Sequence, residues 1–130
     1  MSVDADHWER WVARLSAVLA ADAPDLLAWA GEHRVKSVAL ADDVDFVCHL
    51  AEGMAQRGSL APEAARDLRA IGRILADPDV LPRVGLWTDA PAAEEAWSEV
   101  RTLARRILVA REGDRRRPLP GRVPPQHLYD

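Results

Sequence analysis

The chain has 130 residues, enough for one domain that buries roughly two-thirds of the surface its unfolded form exposes. Its net charge of −4 argues against a general affinity for nucleic acid, which needs Lys and Arg to displace counterions from phosphate, and no run approaches the roughly eighteen apolar residues of a membrane span. The single cysteine, Cys48, has no internal disulfide partner, and "MSVDADHWER" has no basic region leading into an apolar run, so a reducing cytoplasm is the expected compartment.

The first predicted element lies in "DADHWERWVARLSAVLAAD". There Trp8, Trp11, Val12, Leu15, Val18 and Leu19 recur at the spacing of one helix face, with Asp4 or Asp6 placed to cap it. A short second helix follows in "APDLLAWAGEHR", with Pro24 in its first turn, where the missing N–H costs nothing. "VKSVAL" is too short for periodicity to separate a turn from an extended piece, and it reads as a connector. The third helix spans roughly Asp42 to Arg57, with Leu40, Val44, Val47, Ala51 and Met54 on one face, and Gly58 ends it as a left-handed residue does. Ser59 and Pro62 open the fourth, whose seam is Ala64, Leu68, Ile71 and Leu75; the short "GSLA" link makes the pair an antiparallel hairpin. After the proline-punctuated "DPDVLPRVGLW", Thr88 or Asp89 caps the fifth helix and Pro91 begins it, with Trp97, Val100, Leu103 or Ala104, and Ile107 as its seam. "LAPEAARDLRAIGRIL" and "DAPAAEEAWSEVRTLARRIL" each begin Ala-Pro and close Arg-Ile-Leu, as two ordinary amphipathic helices do, and a solenoid normally needs several units.

The expected fold is therefore all-α. About five helices form a compact bundle-like or orthogonal domain over residues 1–111, followed by an extended, basic, proline-rich tail over 112–130. Sixteen of the seventeen basic residues are Arg, which with the abundant Ala matches the coding bias of a high-GC bacterium. The charge is unevenly spread: residues 1–110 hold twelve basic and eighteen acidic side chains (−6), and 111–130 hold five and three (+2).

Two polar strips are candidates for chemistry. Asp42, Asp45, His49, Glu52 and Gln56 share one face of the third helix, where carboxylates and imidazole at helical spacing could converge on a metal or serve as acid and base. The competing reading is a solvated face, because no second helix offers a Glu-x-x-His, a His-x-x-x-His or a paired Cys. Arg66, Arg69 and Arg73 on the fourth helix, with Arg101, Arg105 and Arg106 on the fifth, could hold an anion, since Arg pairs bidentately with carboxylate or phosphate. The plainer account is that the acidic and basic strips of the hairpin partly neutralise each other. Cys48 and His49 are adjacent and point about 100° apart on a helix, so they make no nucleophile–base pair, and Cys48 reads as a small apolar residue at the edge of the seam. His7, His33 and His127 are scattered, and the glycines form no phosphate loop.

Five Trp stand against one Phe and one Tyr. Core burial accounts for most of them, but Trp87, in a loop between prolines, is a candidate interface anchor. The tail "GDRRRPLPGRVPPQHLYD" favours polyproline II, which suits it as a ligand for another protein through Arg115, Arg116 and Arg117, although it lacks Pro-x-x-Pro. Its end, Leu128-Tyr129-Asp130, fits a hydrophobic-Tyr-any pattern and resembles the tails with which proteasome activators dock into the proteasome ring. That resemblance implies a carboxylate captured by a basic pocket residue with the Tyr beside it.

The sequence thus reads as a non-enzymatic helical interaction module of accessory, adaptor or immunity type. It would bind another protein through an exposed Trp and Arg surface and its tail, with no cofactor, no nucleic acid and no membrane, and with homo-oligomerisation left open. The alternative is a small helical subunit or enzyme with a metal or anion site on the third and fourth helices. A minor alternative is a proteasome-docking factor.

Overall fold

The computed structural model of the chain describes residues 6–82 and 93–112, and these form five helices with no strand among them. The first helix, α1, opens as a π-helical turn, Trp8–Val12, and continues as α-helix Ala13–Ala20; the Ala13 N–H donates to the Trp8 carbonyl five residues back. The chain is already helical at Asp6, so Asp6 is not the cap, and Asp4 lies outside the described residues. Trp8, Val12, Leu15, Val18 and Leu19 are buried as the periodicity requires, but so are Ala13, Ser16, Ala17 and Ala20. From Val12 to Ala20 only Arg14 escapes full burial, which makes this half of α1 the central rod of the domain.

The second helix, α2 (Ala23–His33), starts with Pro24 in its first turn and attaches through Leu26, Trp29 and Ala30. It ends at Arg34, which takes the left-handed conformation (φ 56°, ψ 42°) more often given to Gly or Asn, and the Val35 N–H then closes on the Ala30 carbonyl at 2.9 Å. The third, α3 (Ser37–Gln56), begins within the segment read as a connector. Its seam of Leu40, Ala41, Val44, Val47, Ala51 and Met54 is buried, and its end is a Schellman motif: Gly58 has φ 78°, its N–H reaches the Ala55 carbonyl, and the Ser59 N–H reaches Met54.

The fourth, α4 (Pro62–Leu75), is sharply amphipathic, with Ala64, Leu68, Ile71 and Leu75 inside. A turn follows in which the Asp79 N–H donates to the Asp77 carboxylate at 2.9 Å and Val80 and Leu81 go into the core. The fifth, α5 (Ala93–Glu112), buries Trp97, Val100, Leu103, Ala104, Ile107 and Leu108.

Packing closes a ring of four helices. α5 lies against both α1 and α4, α4 packs on α3, and α3 returns to α1. Polar contacts fix α5 antiparallel to α4. Near its start the Trp97 indole donates to the Val80 carbonyl at 2.9 Å, just beyond the end of α4, and nearer its finish Arg106 reaches Asp67 in the first half of α4. Arg105, one residue earlier, holds the end of α1 by donating to the Ala20 carbonyl at 3.0 Å. No described helix is long and apolar enough to cross a membrane.

Candidate functional site

Trp87 and the tail residues Arg115, Arg116, Arg117, Leu128, Tyr129 and Asp130 lie outside the described residues. Of the other tryptophans, Trp8, Trp29 and Trp97 belong to the core. Trp11 differs: it is half-buried at the edge of α1, within the π-helical turn. Its ring meets Phe46 of α3 edge to face, with centroids 5.0 Å apart and planes at 72°. Phe46 itself is 49% exposed, the most open of the large apolar side chains among the described residues. An aromatic pair held in fixed geometry with one ring in solvent has the character of an interface anchor, because large rigid rings contribute contact area at low entropic cost. π-helical turns are uncommon and concentrate at functional sites.

Sequence reasoning passed over Phe46. The signal was present: Phe46 falls outside the seam of Val44, Val47, Ala51 and Met54 and inside the polar strip, four residues after Asp42 and three before His49. A large apolar residue interrupts a strip otherwise made of polar side chains, and its edge contact ties that strip to Trp11 of α1.

The strip itself, Asp42, Asp45, His49, Glu52 and Gln56, is exposed along its whole length. Among the described residues no three His, Cys, Asp or Glu side chains come together as metal ligands would. Glu52 instead accepts from Arg69 of α4 at 3.1 Å, joining the acidic and basic strips of the hairpin. Across its 20 residues α3 carries Asp42, Asp43, Asp45 and Glu52 and no Lys or Arg.

Asp43, next to Asp42 on the same helix, is 9% exposed, and its Oδ2 has no hydrogen-bond partner among the described residues. Burial, followed by repulsion from the Asp42 carboxylate, pushes its carboxyl up to about 7. Asp67 of α4 is equally buried but fully engaged, since Arg106 grips both of its oxygens through Nε and a terminal amine. Arg105 is committed as well, to the Ala20 carbonyl and to Asp22 at 2.8 Å. These two arginines, which the sequence offered as anion holders, therefore tie α5 to α1, α4 and the start of α2.

Cys48, half-buried, is engaged in the same way. Its thiol donates to the Leu68 carbonyl at 3.2 Å, and burial, with Asp45 and Glu52 adding to it, pushes its pKa up to about 11. It is therefore a thiol, not a thiolate, at neutral pH. It fills the space over Gly72, where a Cβ would stand 3.0 Å from its sulfur.

The geometry thus brings together one surface: Trp11 and Phe46 as an aromatic ridge, with Asp42 and Asp45 as exposed carboxylates on the helix that carries Phe46 and Asp43 buried on that helix. Comparison of the chain with known protein families, with curated proteins and with solved structures gave no match.

Proposed function

We propose that this chain is a non-enzymatic helical interaction module of the cytoplasm, of accessory, adaptor or immunity type, whose output is the binding of another protein. The observation that carries this reading is Phe46, half exposed and held edge-on by Trp11, in the middle of an acidic helix face. Burying the open half of such a ring against a partner contributes on the order of 1 kcal/mol from area alone, and aromatic residues dominate interface hot spots. Several groups that could serve catalysis or hold an anion are engaged in structure instead: Cys48 donates to Leu68, Glu52 pairs with Arg69, and Arg105 and Arg106 bind α1, Asp22 and Asp67. The tail, with Arg115, Arg116, Arg117, Leu128, Tyr129 and Asp130, and the loop residue Trp87 are proposed as further contacts on the strength of their sequence.

The test is affinity capture with the full chain, followed by titration of the captured protein against purified Phe46→Ser. The expected result is a loss of affinity of about tenfold or more, the size of a typical hot-spot truncation. Unchanged affinity in Phe46→Ser, together with unchanged affinity after Leu128→Ala and Tyr129→Ala, would overturn the reading.

A further inference from the structure

We infer that the outer face of α3 is the docking surface for this chain's own basic segment, residues 113–130, which lies along Asp42 and Asp45 by its arginines and covers Phe46 by an apolar side chain. The inference rests on the reading of this face as a binding surface, and it assigns the first occupant of that surface and hence its regulation.

Three observations select the occupant. First, the face is negative, and two of its exposed carboxylates have no partner among the described residues. Asp42 and Asp45 make no ion pair among the described residues, whereas Glu52, further along, is taken by Arg69. The helix that carries them has four acidic residues and no Lys or Arg. A second copy meeting this face symmetrically would set Asp42 and Asp45 against their own images, so like-charge repulsion disfavours it. The complementary ligand is an arginine-bearing segment with an apolar residue for Phe46.

Second, the chain holds such a segment. Residues 113–130 contain Arg115, Arg116, Arg117 and Arg122 against Asp114 and Asp130, a net +2, with Leu119, Val123, Leu128 and Tyr129 as apolar groups. Arg suits the role, because its planar fork binds carboxylate and stacks on an aromatic face.

Third, the segment reaches. α5 ends at Glu112, and its last turns are fixed beside α1 and α4 by the Arg105 and Arg106 contacts. Eighteen residues follow. At about 3.1 Å per residue in extended form they span roughly 55 Å, against roughly 30 Å for the whole length of α3. Tethering also makes the encounter intramolecular, so that weak contacts suffice at an effective concentration in the millimolar range. A protein partner would then have to displace the segment to reach Phe46, or would take the segment and the freed face together.

The experiment uses the full chain throughout. Amide and indole chemical shifts of the wild type are compared with those of a variant carrying Arg115→Glu, Arg116→Glu and Arg117→Glu. Docking predicts shift changes confined to Asp42, Asp45, Phe46, His49 and the Trp11 indole, reproduced in 0.5 M salt, where exposed charges are screened beyond about 4 Å. It also predicts that Asp42→Asn with Asp45→Asn speeds tryptic cleavage after Arg115 and Arg116 by roughly threefold to tenfold, the effect of losing two modest ion pairs. Identical spectra for wild type and tail variant, or changes located away from α3, overturn the inference. Shift differences that grow with protein concentration place the segment on a second copy and overturn docking in cis. If the spectra show no tail contact while Phe46→Ser still weakens partner binding, the inference fails and the proposed function stands. If the tail contacts α3 while partner binding is indifferent to Phe46, the docking stands and the role of Phe46 as a partner anchor falls.

Discussion

Helix α3 meets its two neighbours in opposite ways. Toward α4 its groups find partners: Leu68 and Ile71 close the seam, the Cys48 thiol donates to the Leu68 carbonyl, and Glu52 accepts from Arg69. On the flank where Phe46 meets Trp11 of α1 the helix leaves the Phe46 ring half in water; the same helix holds Asp43 buried, with no partner for Oδ2 among the described residues, and Asp42 and Asp45 exposed. The first side is what folding selects. The second retains an apolar surface and a buried carboxyl that both work against stability, and features of that kind persist where something other than folding needs them.

The largest effect should come from breaking the closed side. Leu68 is 1% exposed in the seam of α4, so Leu68→Ala should cost about 3 kcal/mol, read by denaturant or thermal unfolding. A loss below about 1 kcal/mol would mean that the seam is looser than its burial implies.

On the open side the sign reverses. Asp43 has a folded-state pKa of about 7, above the roughly 3.9 of an unfolded carboxyl, so the native state holds its proton more tightly. The stabilisation this gives is fully present below about pH 4 and is lost as pH rises through about 7. Asp43→Asn keeps the shape without the ionisation. It should stabilise the protein by about 2 kcal/mol at pH 8, and flatten the decline in stability between about pH 4 and 7, measured as melting temperature against pH. Equal pH dependence in the variant and the wild type would show that Asp43 is not the titrating group.

Phe46→Ala should cost about 1 kcal/mol, since half of the ring is already in water and its edge contact with Trp11 is lost. Together with Leu68→Ala it sharpens the contrast: two large apolar residues on one hairpin, one needed by the fold and one largely dispensable to it.

The seams of α4 and α5 were legible in the sequence because each is a simple stripe of large residues opposite a charged face. The start of α3 was not. In its first turn the pattern is inverted, with Ser37 buried and Val38 42% exposed, so periodicity gave no signal until Leu40. The central half of α1 was read as one apolar stripe because periodicity weighs large residues, whereas Ala13, Ser16, Ala17 and Ala20 are small and let neighbouring helices close in from the other sides. Arg105 and Arg106 looked available for an anion because their partners, Ala20, Asp22 and Asp67, lie 85, 83 and 39 residues away, beyond any local spacing rule. Phe46 was hidden in the opposite way: its position was visible, but five tryptophans drew the expectation of an aromatic anchor elsewhere.

The smallest effect tests whether the answered charges on the closed side do more than fill a surface. Glu52 and Arg69 are each about half exposed (side chains 49% and 50%), so water and salt weaken their attraction and both side chains lose rotamer freedom to meet. The Asp67–Arg106 pair has the same chemistry in a different setting, because there the carboxylate is only 8% exposed and two guanidinium bonds replace its lost water. A double-mutant cycle of Glu52→Gln and Arg69→Gln should therefore give a coupling of about 0.5 kcal/mol or less, vanishing in 0.5 M salt. The cycle of Asp67→Asn and Arg106→Gln should give a clearly larger coupling that persists in salt, and Arg106→Gln alone should lower the melting temperature, because it leaves the Asp67 carboxylate buried without its fork. Equal couplings in the two cycles would mean that burial of Asp67 does not decide the strength of its pair, and that the closed side of the hairpin owes its stability to the apolar seam alone.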